Sequence, residues 1–127
     1  MALRVLLVED SKVLTERVSE TLAALAGVEL VGTAADETSA VATAREKEVD
    51  VIILDLQLRH GTGFGVLQQL GGKRPVVIVF TNYMLPQYQR RAADLGVEHF
   101  LSKSRDYERL PVLLQELEQG QHAATGP

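Results

Sequence analysis

Five short apolar runs recur along this 127-residue chain, and each has the length of a β-strand. They begin near residues 3, 28, 50, 76 and 97. Because the runs are largely apolar rather than alternating, they are typical of strands buried on both faces of a parallel sheet. The segments between them have helical patterns, with Ser11 and Asp36 as candidate N-caps, Pro86 as a candidate first-turn residue and Gly71 as a stop signal.

This alternation of strands and helices predicts an α/β fold. We expect a five-stranded parallel sheet, doubly wound with helices on both faces, in a (βα)5 arrangement. Among the strand orders open to such a chain we favour the flavodoxin-like order 2-1-3-4-5, which puts the ends of the first and third strands side by side. We expect a single domain over residues 1–119, followed by a disordered tail over residues 120–127.

The composition argues against several classes of protein. The chain has no cysteine, which excludes disulfides, thiolate metal sites and a cysteine nucleophile. Its net charge of −4, without a basic stripe, predicts no direct binding to nucleic acid. No apolar stretch approaches the ~20 residues of a membrane span, and no signal-peptide pattern precedes the first run. We therefore expect a cytoplasmic protein that does not bind membranes.

Four of the five runs lead directly to side chains that can do chemistry. Glu9 and Asp10 follow the first run, Asp55 the third, Thr81 the fourth, and Lys103 lies just beyond the fifth. Ligands of open parallel sheets bind outside the carboxyl ends of the strands, so we expect these side chains to converge at one edge. Three acids and one lysine suit a divalent cation and a phosphoryl group.

The pattern resembles the receiver domain of bacterial two-component response regulators, and in particular the single-domain chemotaxis type, over residues 3–119. Receivers usually carry a glycine in the loop after the acceptor aspartate, here Gly63, and an aromatic just before the lysine, here Phe100. The resemblance implies a signalling phospho-acceptor rather than an enzyme acting on a separate substrate. A histidine kinase or a histidine phosphotransfer protein would be the donor, and an unidentified output protein or effector domain would receive the signal.

The resemblance also implies a metal site. Asp10 and Asp55 would bind Mg²⁺ through their carboxylates, Glu9 through water, and Gln57 through its backbone carbonyl, with Mn²⁺ as a substitute ion. The chemistry of the residues agrees, because three neighbouring carboxylates repel one another and Mg²⁺ prefers oxygen ligands.

The remaining implied roles concern transfer and switching. Asp55 would be the phosphoryl acceptor, and the domain would catalyse its own phosphorylation and dephosphorylation. Lys103 would contact a phosphoryl oxygen. Thr81 would turn to hydrogen-bond the phosphoryl group, and Phe100 would be the switching aromatic beside it.

Some residues depart from the family pattern, and two other functions are open. Arg59 and Ser104 stand where receivers often have proline, and Asn82 where a small residue is commoner. A phosphohydrolase of the haloacid-dehalogenase type also uses a strand-end aspartate and Mg²⁺, but it requires a second acid where this chain has Gln57. A degenerate receiver that binds partners without phosphorylation is the other alternative, against which the complete set of site residues argues.

Overall fold

Strands and helices alternate along the whole chain in the computed structural model, which describes residues 2–72 and 74–125, with the backbone alone for 122–125. The elements are β1 (Leu3–Val8), α1 (Lys12–Ala23), β2 (Val28–Ala34), α2 (Glu37–Glu46), β3 (Val51–Leu54), α3 (Gly63–Leu70), β4 (Val76–Thr81), α4 (Pro86–Asp94), β5 (His99–Ser102) and α5 (Arg109–Thr125). All five strands pair in parallel in the order β2-β1-β3-β4-β5. The predicted doubly wound (βα)5 fold is confirmed.

The core consists of two apolar layers, one on each face of the sheet. On the central strand β3, Ile52 and Leu54 belong to the layer shared with α2, α3 and α4. Val51 and Ile53 belong to the layer shared with α1 and α5. All four are almost fully buried, which is why this strand is apolar at every position instead of alternating.

Helices α1, α2 and α4 begin at the residues that the sequence predicted. The Ser11 hydroxyl oxygen accepts a hydrogen bond from the Leu14 N–H at 3.3 Å. The Asp36 carboxylate accepts one from the Ser39 N–H at 2.8 Å. Pro86 opens α4, where its missing N–H costs no hydrogen bond. These residues fix where the loops after β1, β2 and β4 end and the following helices begin.

The C-terminal helix is longer than the sequence predicted. It continues to Thr125, so the backbone beyond Gly120 is helical where we expected a disordered tail. One glycine inside a helix costs only about 1 kcal/mol relative to alanine, and the alanines that follow favour a helix. Pro111 lies in the first turn, where it breaks no hydrogen bond within the helix. Residues 126–127 lie outside the described part of the chain.

No helix within residues 2–72 and 74–125 combines the length and apolar character that crossing a bilayer requires.

Candidate functional site

Three carboxylates meet at the carboxyl edge of the sheet, where β1 and β3 lie side by side. Glu9 is held in place by its N–H, which donates to the Ala34 carbonyl at 2.8 Å, and Asp55 by its N–H, which donates to the Val8 carbonyl at 3.1 Å. One carboxylate oxygen each from Glu9, Asp10 and Asp55 lie within 4.8 Å of one another. The predicted convergence of the three acids is therefore present in the structure.

Lys103 bridges two of these acids. Its Nζ lies 2.5 Å from Glu9 Oε1 and 2.7 Å from Asp55 Oδ2. The Glu9 and Asp55 side chains are 2% and 6% exposed, and that of Lys103 is 13% exposed. Removing one partner from such a buried group leaves an uncompensated charge, so the three side chains form one electrostatic unit.

The surroundings shift the pKa values of Glu9 and Lys103. Burial raises the pKa of Glu9, because desolvation disfavours its charged form more than the hydrogen bonds from Lys103 and Ser11 favour it. Burial would by itself lower the pKa of Lys103, but its hydrogen bonds to Asp55 and Glu9 outweigh that effect and the pKa is raised. Lys103 thus stays protonated beside the acids at neutral pH.

The donor set fits a hard divalent cation. The three acids contribute oxygen ligands only, which Mg²⁺ and Mn²⁺ prefer, and the cluster contains no imidazole or thiolate of the kind that selects zinc or copper. Gln57 lines the cleft around these acids, and its role as a ligand stays a prediction. Two of the residues that depart from the family pattern, Arg59 and Asn82, also line this cleft.

Gly63 lets the loop between β3 and α3 fold back toward Asp55. A Cβ at this position would collide with the Asp55 carbonyl oxygen, and the Gly63 N–H donates to the Leu56 carbonyl at 2.9 Å. The next helix starts at the same place, because the Thr62 hydroxyl oxygen accepts from the Gly65 N–H at 3.0 Å. The close backbone contact gives the glycine that we noted in the sequence a physical reason.

Glu37, which the sequence analysis did not single out, connects α2 to the loop between β3 and α3. Its Oε1 accepts from the Thr62 N–H at 3.0 Å and its Oε2 from Gln69 Nε2 at 2.5 Å. Its own N–H donates to the His60 carbonyl at 3.0 Å. The carboxylate lies directly over Gly65, where a Cβ would occupy the same space. The partners are far apart in sequence, so no local pattern signals this contact.

Thr81 is fully buried at the end of β4 and is bonded to its own loop in this structure. Its hydroxyl oxygen accepts from the Tyr83 N–H at 3.2 Å, and its carbonyl accepts from the Lys103 N–H at 3.0 Å. Phe100 is half-buried on β5, in register with Val79 of β4. Both predicted switch residues therefore lie on the strands that flank the site.

The sequence shares these features with a characterised family. A family model described as the response regulator receiver domain matches residues 5–115. Protein-glutamate methylesterase/protein-glutamine glutaminase 2 of Xanthomonas oryzae pv. oryzae (strain MAFF 311018) is 35% identical over 109 residues, which cover 80% of this chain and 29% of that protein. The chain thus spans less than a third of this relative.

Solved structures share the fold over nearly the full length. A CheY-like response regulator receiver domain protein from Methanospirillum hungatei JF-1 superposes with a TM-score of 0.85 at 17% identity, covering 98% of this chain and 99% of that one. The phosphorylated cyanobacterial phytochrome response regulator RcpA superposes with a TM-score of 0.81 at 25% identity, covering 99% and 98%.

Proposed function

We propose that Asp55 is the residue that carries the phosphoryl group, because the chain belongs to the family of response regulator receiver domains. These domains are the phospho-acceptors of two-component signalling. One observation carries this assignment: Lys103 Nζ lies 2.7 Å from Asp55 Oδ2, within the cluster of three acids. The amine is positioned to neutralise charge on a group attached to that carboxylate. We further propose that the donor is a histidine kinase or a histidine phosphotransfer protein.

The reaction we propose is an in-line transfer between two protein side chains. An Asp55 carboxylate oxygen forms a bond to phosphorus as the bond from phosphorus to the donor's imidazole nitrogen breaks, and the imidazole leaves with the electron pair. Lys103 stays beside the reacting oxygen throughout and offsets the negative charge. This division of labour between nucleophile and charge neutralisation is what phosphoryl transfer requires. The same residues would catalyse hydrolysis of the phosphorylated form.

The acids would need a cation before they could accept a further anionic group. Their three negative charges and the single positive charge of Lys103 leave the cluster with an excess negative charge. Asp10 and Asp55 would hold Mg²⁺ directly, with Glu9 acting through water and Gln57 through its carbonyl, and Mn²⁺ suits the same ligands. Bound Mg²⁺ would supply the charge neutralisation that Lys103 alone does not provide.

Our proposal for how the domain passes on its signal starts from a relative and not from the geometry of the site. The methylesterase relative contains far more chain than matches here, so the signal in this protein would pass either to a separate partner or to an effector domain. We propose that phosphorylation reshapes the surface of α4, β5 and α5, beginning at Thr81 and Phe100. No direct contact with nucleic acid or membrane is part of this proposal, and a cytoplasmic location stays a prediction.

The two alternatives are not favoured. The match over residues 5–115 is to receivers and not to a phosphohydrolase family. Asp55, Glu9, Asp10 and Lys103 form a complete cluster, which a receiver that never accepts a phosphoryl group would not need.

The test is the intact mass of the protein after incubation with phosphoramidate and Mg²⁺. The unmutated protein should gain the mass of one phosphoryl group, and Asp55→Asn should gain none. Asp94→Asn, an exposed aspartate at the end of α4, is the matched control and should label normally. Full labelling of Asp55→Asn would refute the assignment, as would an unlabelled parent protein.

A further inference from the structure

The loop that carries Lys103 is closed by a reciprocal pair of hydrogen bonds between Ser102 and Asp106. The Ser102 N–H donates to Asp106 Oδ2 at 2.8 Å, and the Asp106 N–H donates back to the Ser102 carbonyl at 2.9 Å. Ser102 is 2% exposed. The two bonds close a short ring that spans residues 102–106, and Lys103 is part of that ring.

The position of Ser102 in the sheet explains why an acid is needed there. β5 is an edge strand, so N–H groups on its outer side have no partner strand. The Lys103 N–H points inward to the Thr81 carbonyl at 3.0 Å, while the Ser102 N–H is taken by the Asp106 carboxylate. Successive backbone groups are thus held from opposite sides, and the lysine backbone is fixed between them.

The rest of the loop supports the same arrangement. The Ser102 hydroxyl oxygen accepts from the Arg105 N–H at 3.3 Å and pairs with the Ser104 hydroxyl at 3.2 Å. Asp106 Oδ1 pairs with Arg109 Nη1 at 3.4 Å, and the Arg109 N–H donates to the Asp106 carbonyl at 2.9 Å, where α5 begins. The carboxylate therefore joins the end of β5 to the start of α5.

We propose that Asp106 is a positioning residue for phosphoryl transfer, which holds Lys103 over Asp55 by closing the loop at Ser102. In this chain Ser104 stands where receivers often have proline, and the loop is held by the hydrogen bond that the Asp106 carboxylate accepts from Ser102 and the one that the Asp106 N–H donates to Ser102. The proposal rests on the proposed role of Asp55 and Lys103 but adds a residue that contacts neither. The loss of alignment at a reacting centre lowers rate steeply, so a loosened Lys103 is expected to slow transfer at least about tenfold.

The experiment measures phosphorylation of Asp55 by phosphoramidate with Mg²⁺, together with the melting temperature of each variant. Asp106→Ala should slow labelling about tenfold. Asp106→Asn retains an oxygen acceptor for the Ser102 N–H and should recover most of the rate. Arg109→Ala removes the other partner of the carboxylate and should label at the unmutated rate. If Asp106→Ala does not fold, Asp106→Glu keeps the charge but displaces the oxygen, and should show the same slowing.

A double-mutant cycle separates positioning from a general structural role. In a Lys103→Ala background, Asp106→Ala should slow labelling no further, because its effect operates through the lysine. A further tenfold loss in that background, or an unchanged rate in folded Asp106→Ala or Asp106→Glu, would overturn the proposal. Failure of the proposed function itself looks different, because the unmutated protein would then not label at Asp55 at all.

Discussion

Thr81 and Phe100 face the same side of the sheet from neighbouring strands. Phe100 is in register with Val79, and Thr81 with Ser102. Because side chains alternate along a strand, Val79, Thr81 and Phe100 all point to the face that carries α2, α3 and α4. We therefore expect an inward turn of the Thr81 hydroxyl to change the space available to the half-buried Phe100 ring.

This relationship predicts that Thr81→Ala uncouples the response from phosphorylation. The variant should still label at Asp55, because the nucleophile and lysine are unchanged, but should lose most of the conformational change. The phosphoryl group shifts a two-state element only through bonds that differ between the states, and we propose that the Thr81 hydroxyl makes that bond. NMR shifts of Phe100 and α4, with and without beryllofluoride, measure it. Thr81→Ser keeps the hydroxyl and should respond normally, whereas a full response in Thr81→Ala would contradict this route.

Asp10→Asn should weaken Mg²⁺ binding roughly tenfold or more, because cation affinity follows the charge of the ligand set. Without the metal, the same variant should unfold at higher denaturant concentration, since one of three mutually repelling carboxylates has been neutralised. Titration calorimetry and urea unfolding measure the two effects. Asp94→Asn should change neither, and an unaltered Mg²⁺ affinity in Asp10→Asn would remove Asp10 from the site.

Gly63→Ala should destabilise the fold by about 1–3 kcal/mol, the usual cost of forcing atoms into a packed region. The new methyl group would meet the Asp55 carbonyl oxygen, so phosphorylation should slow as well. The comparison is Gly72→Ala, because a Cβ at Gly72 meets nothing within 4 Å. Urea unfolding measures the free energy of unfolding of both variants. Equal values would contradict the prediction, because the loop between β3 and α3 would then move away from the new methyl group without cost.

Acid should destabilise the protein partly through Asp36. The hydrogen bond from the Ser39 N–H lowers the pKa of this N-cap carboxyl below its ordinary value. Stability from a lowered acid pKa is present above the unfolded-state pKa and is lost as the pH falls through the folded-state pKa. Asp36→Asn keeps a cap that does not titrate, so its melting temperature should fall less steeply on acidification. Asp36→Ala lacks the cap and should be less stable at neutral pH. If the melting temperatures of Asp36→Asn and the unmutated protein fall equally steeply on acidification, the prediction is contradicted.

Much of the fold could be predicted from the sequence, because the patterns that indicate strands and helix starts are local. A strand buried on both faces must be apolar at each position, as at Val51–Leu54, and a helix start needs an oxygen acceptor such as Ser11 or Asp36. The disordered tail was the exception. Gly120 is a local helix-weakening signal, but α5 continues through it.

Part of the candidate site could also be predicted from the sequence. In a parallel sheet the carboxyl ends of all strands lie at one edge, so Glu9, Asp10 and Asp55 could be expected together before any coordinates. The strand order that makes β1 and β3 neighbours was a choice among the orders open to such a chain, and the structure confirmed it.

Contacts between distant segments were decided only by the tertiary structure. The sequence places Lys103 after a strand, but only the packed sheet brings its amine between Glu9 and Asp55. Glu37 is likewise an ordinary acid in sequence, and its contact with Thr62 is set by how α2 packs against the loop before α3. Strand periodicity and helix caps depend on residues a few positions apart, whereas a hydrogen bond between separate segments depends on the relative placement of whole elements to within a fraction of an ångström.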